Sequence, residues 1–132
     1  MSRETTPGRP LRPRTRVQTL TVALAAVTGL VHLYLVYEER GDPLEALVFL
    51  GAALGFFAGI YLLLRYPTWR LLYLVGILFT GVQIPLWVLG GMDEFPLGVA
   101  DKVVHVVLVF LLAYTYAELG DGPVRGRPVR ED

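Results

Sequence analysis

The chain has 132 residues, of which 54% are hydrophobic and 18% are charged, and its formal net charge is zero. Soluble domains carry about a quarter charged residues, so this composition points away from a soluble protein. The absence of cysteine excludes disulfides, thiolate metal sites and iron–sulfur clusters. The length allows a single small domain.

Four stretches that are almost free of charge predict four transmembrane helices. About 20 apolar residues are needed to cross the hydrocarbon core of a bilayer. Backbone polar groups in lipid must be satisfied within the segment, which favours helices over isolated strands. We therefore expect an all-α fold, an antiparallel four-helix transmembrane bundle that occupies residues 15–119. The spans are expected near residues 17–37, 44–64, 70–91 and 97–117.

The basic residues fall on one side of this arrangement. Ten of the twelve lie in the N-terminal tail, the loop between the second and third spans, or the C-terminal tail. Only Arg40 and Lys102 lie on the other side, in a region rich in acidic residues. The positive-inside rule then predicts a multi-pass protein of the cell membrane with both termini in the cytoplasm.

The two tails and the short loops leave little room for other functions. Residues 1–14 and 120–132 are rich in proline, glycine and arginine, which predicts disorder. We expect the lipid bilayer as a partner and no nucleic acid. The sequence contains no nucleophile–base pattern, phosphate-binding loop or metal-ligand spacing, so neither an enzyme nor a metal site is expected.

Two short motifs predict where helices begin. Asp42, Pro43 and Glu45 resemble the N-cap, first position and third position of a capped helix. Thr68 follows Pro67 and is expected to cap the third helix.

Gly51, Gly55 and Gly59 form a G-x-x-x-G-x-x-x-G series along one face of the second span. Small residues at this spacing allow membrane helices to approach closely. The series predicts a tight helix–helix contact, either within the chain or with a second subunit in a homo-oligomer or a larger membrane complex.

Four polar residues from three spans are expected at a similar depth in the outer half of the membrane. At 1.5 Å per residue from the predicted outer ends, His32, Gln83, Asp101 and His105 lie about 6 to 12 Å below the surface. Ionisable groups inside a membrane suggest a functional site. We therefore predict that these four residues line a ligand-binding pocket.

Several interpretations of this layer remain open at the level of sequence. The side chains could hydrogen-bond across helices for stability alone, with Lys102 extending outward to the membrane surface. His32 and His105 could instead ligate a non-covalent haem b, or a quinone or lipid headgroup could bind between the helices. Zinc is not expected, because two histidines and one aspartate leave a fourth ligand unaccounted for.

Residues 101–110 begin with Asp101-Lys102-Val103-Val104-His105. This segment resembles the D-K-x-x-H motif of the VanZ-like membrane family, where the motif opens a helix at the outer face. In that family further helices normally follow the motif, whereas here it opens the fourth span. The resemblance covers about ten of the 132 residues and implies that Asp101, Lys102 and His105 form a site. The architecture and the preference for arginine over lysine also resemble small four-span membrane proteins of unknown function from haloarchaea.

These observations predict a non-enzymatic integral membrane protein that binds a partner or a small lipophilic ligand in an outer-half polar pocket. The alternative is a haem-b or quinone-binding anchor subunit of a redox complex that uses His32 and His105.

Overall fold

The computed structural model describes residues 15–92 and 94–120. Four α-helices account for almost all of them: α1 (Arg16–Glu38), α2 (Pro43–Arg65), α3 (Arg70–Leu89) and α4 (Phe95–Gly120). The described residues contain no strand. Both predicted tails lie outside the described residues, except that Gly120 forms the last residue of α4.

The helices pack as a ring of neighbours. α1 packs most extensively against α2, α3 packs against α4, and α1 also contacts α4. The α2–α3 pair has the least contact of the four, which leaves that side of the bundle loosely packed. The apolar core is centred on five residues from α2, α3 and α4: Phe56, Leu63, Tyr73, Leu108 and Leu112.

The distribution of polarity is the reverse of that in a soluble bundle. Large apolar side chains face outward on every helix; Phe110, for example, is 71% exposed. The buried set instead contains polar residues, namely Thr21, Thr28, His32, Thr80, Asp101, His105 and Thr115. All four helices are long and apolar enough to cross a membrane. These features indicate a multi-pass membrane protein, because only lipid makes an apolar exterior favourable.

The helix starts follow the predicted chemistry in one case and depart from it in another. The Asp42 carboxylate accepts hydrogen bonds from the backbone N–H groups of Leu44 and Glu45, so the predicted cap of α2 is confirmed. The prediction for Thr68 was wrong, since α3 begins after Trp69 and has no side-chain cap bond. The cap of α1 is a capping box between Thr15 and Gln18, which the sequence analysis did not identify.

The three glycines of α2 have different surroundings. A methyl group on Gly55 would overlap the ring of Phe79, so this side chain of α3 packs directly against the Gly55 backbone. Methyl groups on Gly51 and Gly59 would meet open space. Within the chain, Gly55 is therefore the member of the series that makes a close contact with another helix.

Candidate functional site

Two pairs of residues, each separated by one helical turn, face each other across α1 and α4. Thr28 and His32 belong to α1, and Asp101 and His105 belong to α4. Residues four apart lie on the same face of a helix, so each pair points in one direction. All four side chains are buried, and each has at most 4% of its surface exposed.

The Asp101 carboxylate lies at the centre of this arrangement. Its Oδ1 accepts a hydrogen bond of 2.6 Å from the Thr28 hydroxyl. Its Oδ2 lies 2.9 Å from the Lys102 ammonium and 3.3 Å from Nδ1 of His105. A buried carboxylate needs such partners because the loss of its hydration is costly. Thr28 on α1 and Lys102 on α4 thus stabilise a single acid, and His105 adds an ion pair only when its ring is protonated.

Each histidine is oriented by the turn that precedes it. Nδ1 of His32 lies 2.8 Å from the carbonyl oxygen of Thr28, and Nδ1 of His105 lies 2.8 Å from that of Asp101. A carbonyl oxygen can only accept, so Nδ1 carries the hydrogen in both rings. These bonds fix both rings in position. The ring centroids are 5.7 Å apart.

α2 and α3 complete the cluster. The amide nitrogen of Gln83 on α3 donates to the carbonyl oxygen of Phe79. Its Oε1 lies 3.3 Å from Nε2 of His105 and can only accept, so this contact is a hydrogen bond only when His105 carries a hydrogen on both ring nitrogens. The Phe56 ring on α2 packs against both imidazoles, with centroid distances of 5.5 Å to His32 and 5.4 Å to His105. We call Thr28, His32, Gln83, Asp101, Lys102 and His105 the polar cluster.

The polar cluster satisfies its own hydrogen bonds. Among the described residues, no buried side-chain nitrogen or oxygen lacks a partner. The network therefore contributes to the stability of the bundle whether or not it also binds a ligand, because membrane-embedded polar groups find no partners in lipid.

The cluster also has the ligand types of a metal site. His32, Asp101 and His105 each present one ligand atom, and these atoms lie within 4.8 Å of one another. Both carboxylate oxygens of Asp101 already have partners, however, and one partner is the Lys102 ammonium. A metal cation would have to displace that ammonium, so the arrangement fits an internal ion pair better than a metal centre.

A cavity of about 340 Å³ adjoins the polar cluster. We call it the first cavity. His32, Gln83, Asp101 and Lys102 form part of its wall, and the rest is largely apolar side chains from all four helices. Its volume lies at the lower end of the range for small-molecule sites, which are typically apolar clefts with a few fixed polar groups.

The acidic residues of two loops lie at the same cavity. Its lining includes Glu39 after α1, Glu45 in the first turn of α2, and Glu94 before α4. With Asp101, four carboxylates meet one ammonium, that of Lys102, among the described lining residues. The charged groups of this largely apolar lining are therefore mostly acidic, which favours ligands that carry positive charge.

The structure brings the four predicted site residues together, in differing roles. His32, Gln83 and Asp101 reach the first cavity, whereas His105 is fully buried behind it and contacts Gln83. Lys102 turns toward Asp101 and does not extend away from it.

Sequence reasoning missed the part that Thr28 and Phe56 play in the cluster. The spacing of four residues puts Thr28 on the same inward-facing side of the first span as His32, but Thr28 was not among the predicted pocket residues. Phe56 carried no signal, because aromatic residues are common throughout the spans.

Comparison with known proteins assigns this architecture to a family. A family model described as a family of unknown function, DUF7475, matches residues 4–116. The chain belongs to the DUF7475 family. The match covers all of α1, α2 and α3 and most of α4, including every residue of the polar cluster. No curated protein and no solved structure matches the chain significantly.

Proposed function

We propose that the protein is a non-enzymatic membrane protein that binds a small lipophilic ligand in the first cavity. The carrying observation is that a buried cluster of polar groups from α1, α3 and α4 opens onto a cavity with largely apolar walls. An apolar pocket with a few fixed polar groups suits a ligand with one polar end and an apolar body.

The proposal includes an antiparallel bundle with both termini in the cytoplasm. Contacts at both ends of the α3–α4 pair support opposite directions for these helices. Arg70, at the start of α3, donates to the carbonyl oxygen of Tyr116 near the end of α4. Trp87, near the end of α3, packs on Gly98 near the start of α4. The arginine-rich side then faces the cytoplasm and the first cavity faces the outer surface.

The proposed ligand site can be tested by the fluorescence of Trp87, which lines the first cavity. The only other tryptophan, Trp69, lies at the start of α3, so Trp69→Phe leaves Trp87 as the single reporter. This variant in lipid nanodiscs would be titrated with dodecanol, dodecanoate and dodecylammonium. We expect at least one probe to cause a saturable change.

A pair of matched substitutions controls for ligand that merely partitions into the bilayer. Ala52→Phe fills the first cavity and should abolish the saturable change. Ala23→Phe adds the same side chain at an exposed position of α1 outside the lining of the cavity, and should leave the change intact. If no probe gives a response that depends on Ala52, the proposed function is wrong.

The geometry gives less support to the haem alternative. The Thr28 hydroxyl lies 3.5 Å from Nδ1 of both His32 and His105, and the Phe56 ring packs against both imidazoles. His105 has no exposed surface, and Gln83 Oε1 lies 3.3 Å from its Nε2, the nitrogen left for an iron because Nδ1 bonds the Asp101 carbonyl. A reduced-minus-oxidised absorption spectrum of the purified protein tests whether it binds haem. A b-type haem band that disappears in His32→Ala and in His105→Ala would establish a redox subunit instead of a ligand-binding protein.

A further inference from the structure

A second cavity lies next to the first, farther from the acidic loops. Its volume is about 250 Å³, and α2 and α3 provide most of its lining. The lining is apolar apart from Thr21 and Thr80, and the hydroxyl of Thr21 is bonded to the Val17 carbonyl of its own helix. This cavity therefore suits a hydrocarbon group and offers little to a polar one.

Phe79 lies at the end of the second cavity that is nearer, along α3, to the first cavity. Phe79 lines the second cavity, and Gln83, one turn further along α3, lines the first. The Phe79 ring is seated on Gly55 and meets the edge of Phe56 at a centroid distance of 5.2 Å. α2 and α3 contact each other least of the neighbouring helices. The Phe79 ring therefore lies between the two helices that can separate with the smallest loss of packing.

The two cavities differ in the ligand chemistry that they favour. In the first cavity the Asp101 carboxylate is already paired with the Lys102 ammonium, and the exposed carboxylates of Glu45 and Glu94 add negative charge, so the cavity favours a cation over an anion. The second cavity, deeper in the apolar part of the bundle, offers room only for an apolar chain.

We propose that the ligand is a single-chain amphiphile with a cationic amine head, and that Phe79 controls how far its chain extends. This inference rests on the proposed function. The head binds among the carboxylates of the first cavity, and the chain points toward the second. Along α3 and its C-cap the first cavity spans the eight residues from Gln83 to Gly90, about 10 Å. Longer chains must displace the Phe79 ring to enter the second cavity.

Alkyltrimethylammonium ions with octyl and hexadecyl chains test both parts of the proposal. They would be titrated at equal mole fractions in nanodiscs that contain the Trp69→Phe protein, with Trp87 fluorescence as the signal. We expect the octyl compound to bind more tightly than octanol and octanoate. Phe79→Ala should raise the affinity for the hexadecyl compound about tenfold relative to the octyl compound. The long chain then no longer has to push the Phe79 ring aside, and crowding of this kind in a packed interior costs about that much.

Phe110→Ala is the matched control, because Phe110 is 71% exposed on α4 and lines neither cavity. It should leave the hexadecyl-to-octyl ratio unchanged. If Phe79→Ala also leaves the ratio unchanged, the chain does not pass Phe79 and this part is overturned. If the alcohol or the carboxylate binds more tightly than the ammonium ion, the cationic head is overturned.

Two further outcomes are distinguishable from these. If none of the probes binds, the proposed function itself fails, not only the assignment of ligand class. A second copy of the chain seated between α2 and α3 would appear as a dimer in native mass spectrometry that is lost on Gly59→Trp. That result would overturn the amphiphile proposal, because the second cavity would be covered by protein.

Discussion

The hydroxyl of Thr28 on α1 donates a hydrogen bond of 2.6 Å to the Asp101 carboxylate on α4, across 73 positions of sequence. The same hydroxyl lies 3.5 Å from Nδ1 of both His32 and His105. Thr28 is therefore the point where the polar groups of the first and fourth helices meet. It also connects the residues of the D-K-x-x-H segment to the rest of the bundle.

Replacing Thr28 should weaken this connection without changing the shape of the interior. Thr28→Val keeps the volume and leaves a buried carboxylate oxygen without its donor, which we expect to lower the free energy of unfolding by about 1–3 kcal/mol. Thermal unfolding in mild detergent measures the change. Thr115→Val is the control: the Thr115 hydroxyl bonds only the Leu111 carbonyl in the described structure, within α4. Equal losses in both variants would contradict a special role for Thr28.

The buried ion pair predicts a strong coupling between neighbouring residues. The side chains of Lys102 and Asp101 are 14% and 3% exposed, respectively. Asp101→Asn leaves the Lys102 ammonium without its counter-charge, and we expect a loss of about 3 kcal/mol in unfolding free energy. The double variant Asp101→Asn with Lys102→Met should lose less than the sum of the two single variants. Additive losses would show that the pair contributes no net interaction.

The glycines of α2 should respond unequally to alanine. Gly55→Ala forces the Phe79 ring to move, and we expect a cost of about 1–3 kcal/mol in unfolding free energy. Gly51→Ala and Gly59→Ala add a methyl group in open space and should be close to neutral. Adding Phe79→Ala to the Gly55 variant should recover part of the loss. If Gly51→Ala instead shifts the protein from oligomer to monomer in native mass spectrometry, the series is an intersubunit face.

The proposed orientation can be tested with single cysteines, since the chain contains none. Gly41 lies in the exposed loop between α1 and α2, where an added side chain meets open space. A membrane-impermeant maleimide should label Gly41→Cys in intact cells. Ser2→Cys in the N-terminal tail should be labelled only after the membrane is permeabilised. The opposite pattern would invert the orientation and place the first cavity at the cytoplasmic face.

Much of the architecture follows from local patterns in the sequence. The lengths of the uncharged stretches predict four helices because a bilayer sets a minimum span, and the capping chemistry of Asp42 fixes the start of α2. The common depth of His32, Gln83 and His105 was also predictable, since the rise per residue of a helix is constant. Thr68 shows the limit of such reasoning, because a capping residue type does not guarantee that the helix begins after it.

The tertiary structure decided which of these residues touch. Depth is a coordinate along the helix axis, whereas contact depends on rotation about that axis and on the packing of the helices. That rotation places Thr28 between His32 and Asp101 and turns Lys102 toward the carboxylate. It also buries His105 behind the wall of the first cavity.

The same distinction applies to the glycine series and the two cavities. Three glycines share one face of α2, yet of the three only Gly55 contacts Phe79 closely. Whether a glycine makes such a contact depends on which side chain the neighbouring helix places opposite it. The sequence by itself determined the four apolar helices and the position of each polar group along its helix, since both depend on local geometry and hydration. Both cavities include lining residues from α2 and α3, the pair with the least mutual contact, and the packing of that pair is decided by the four helices together.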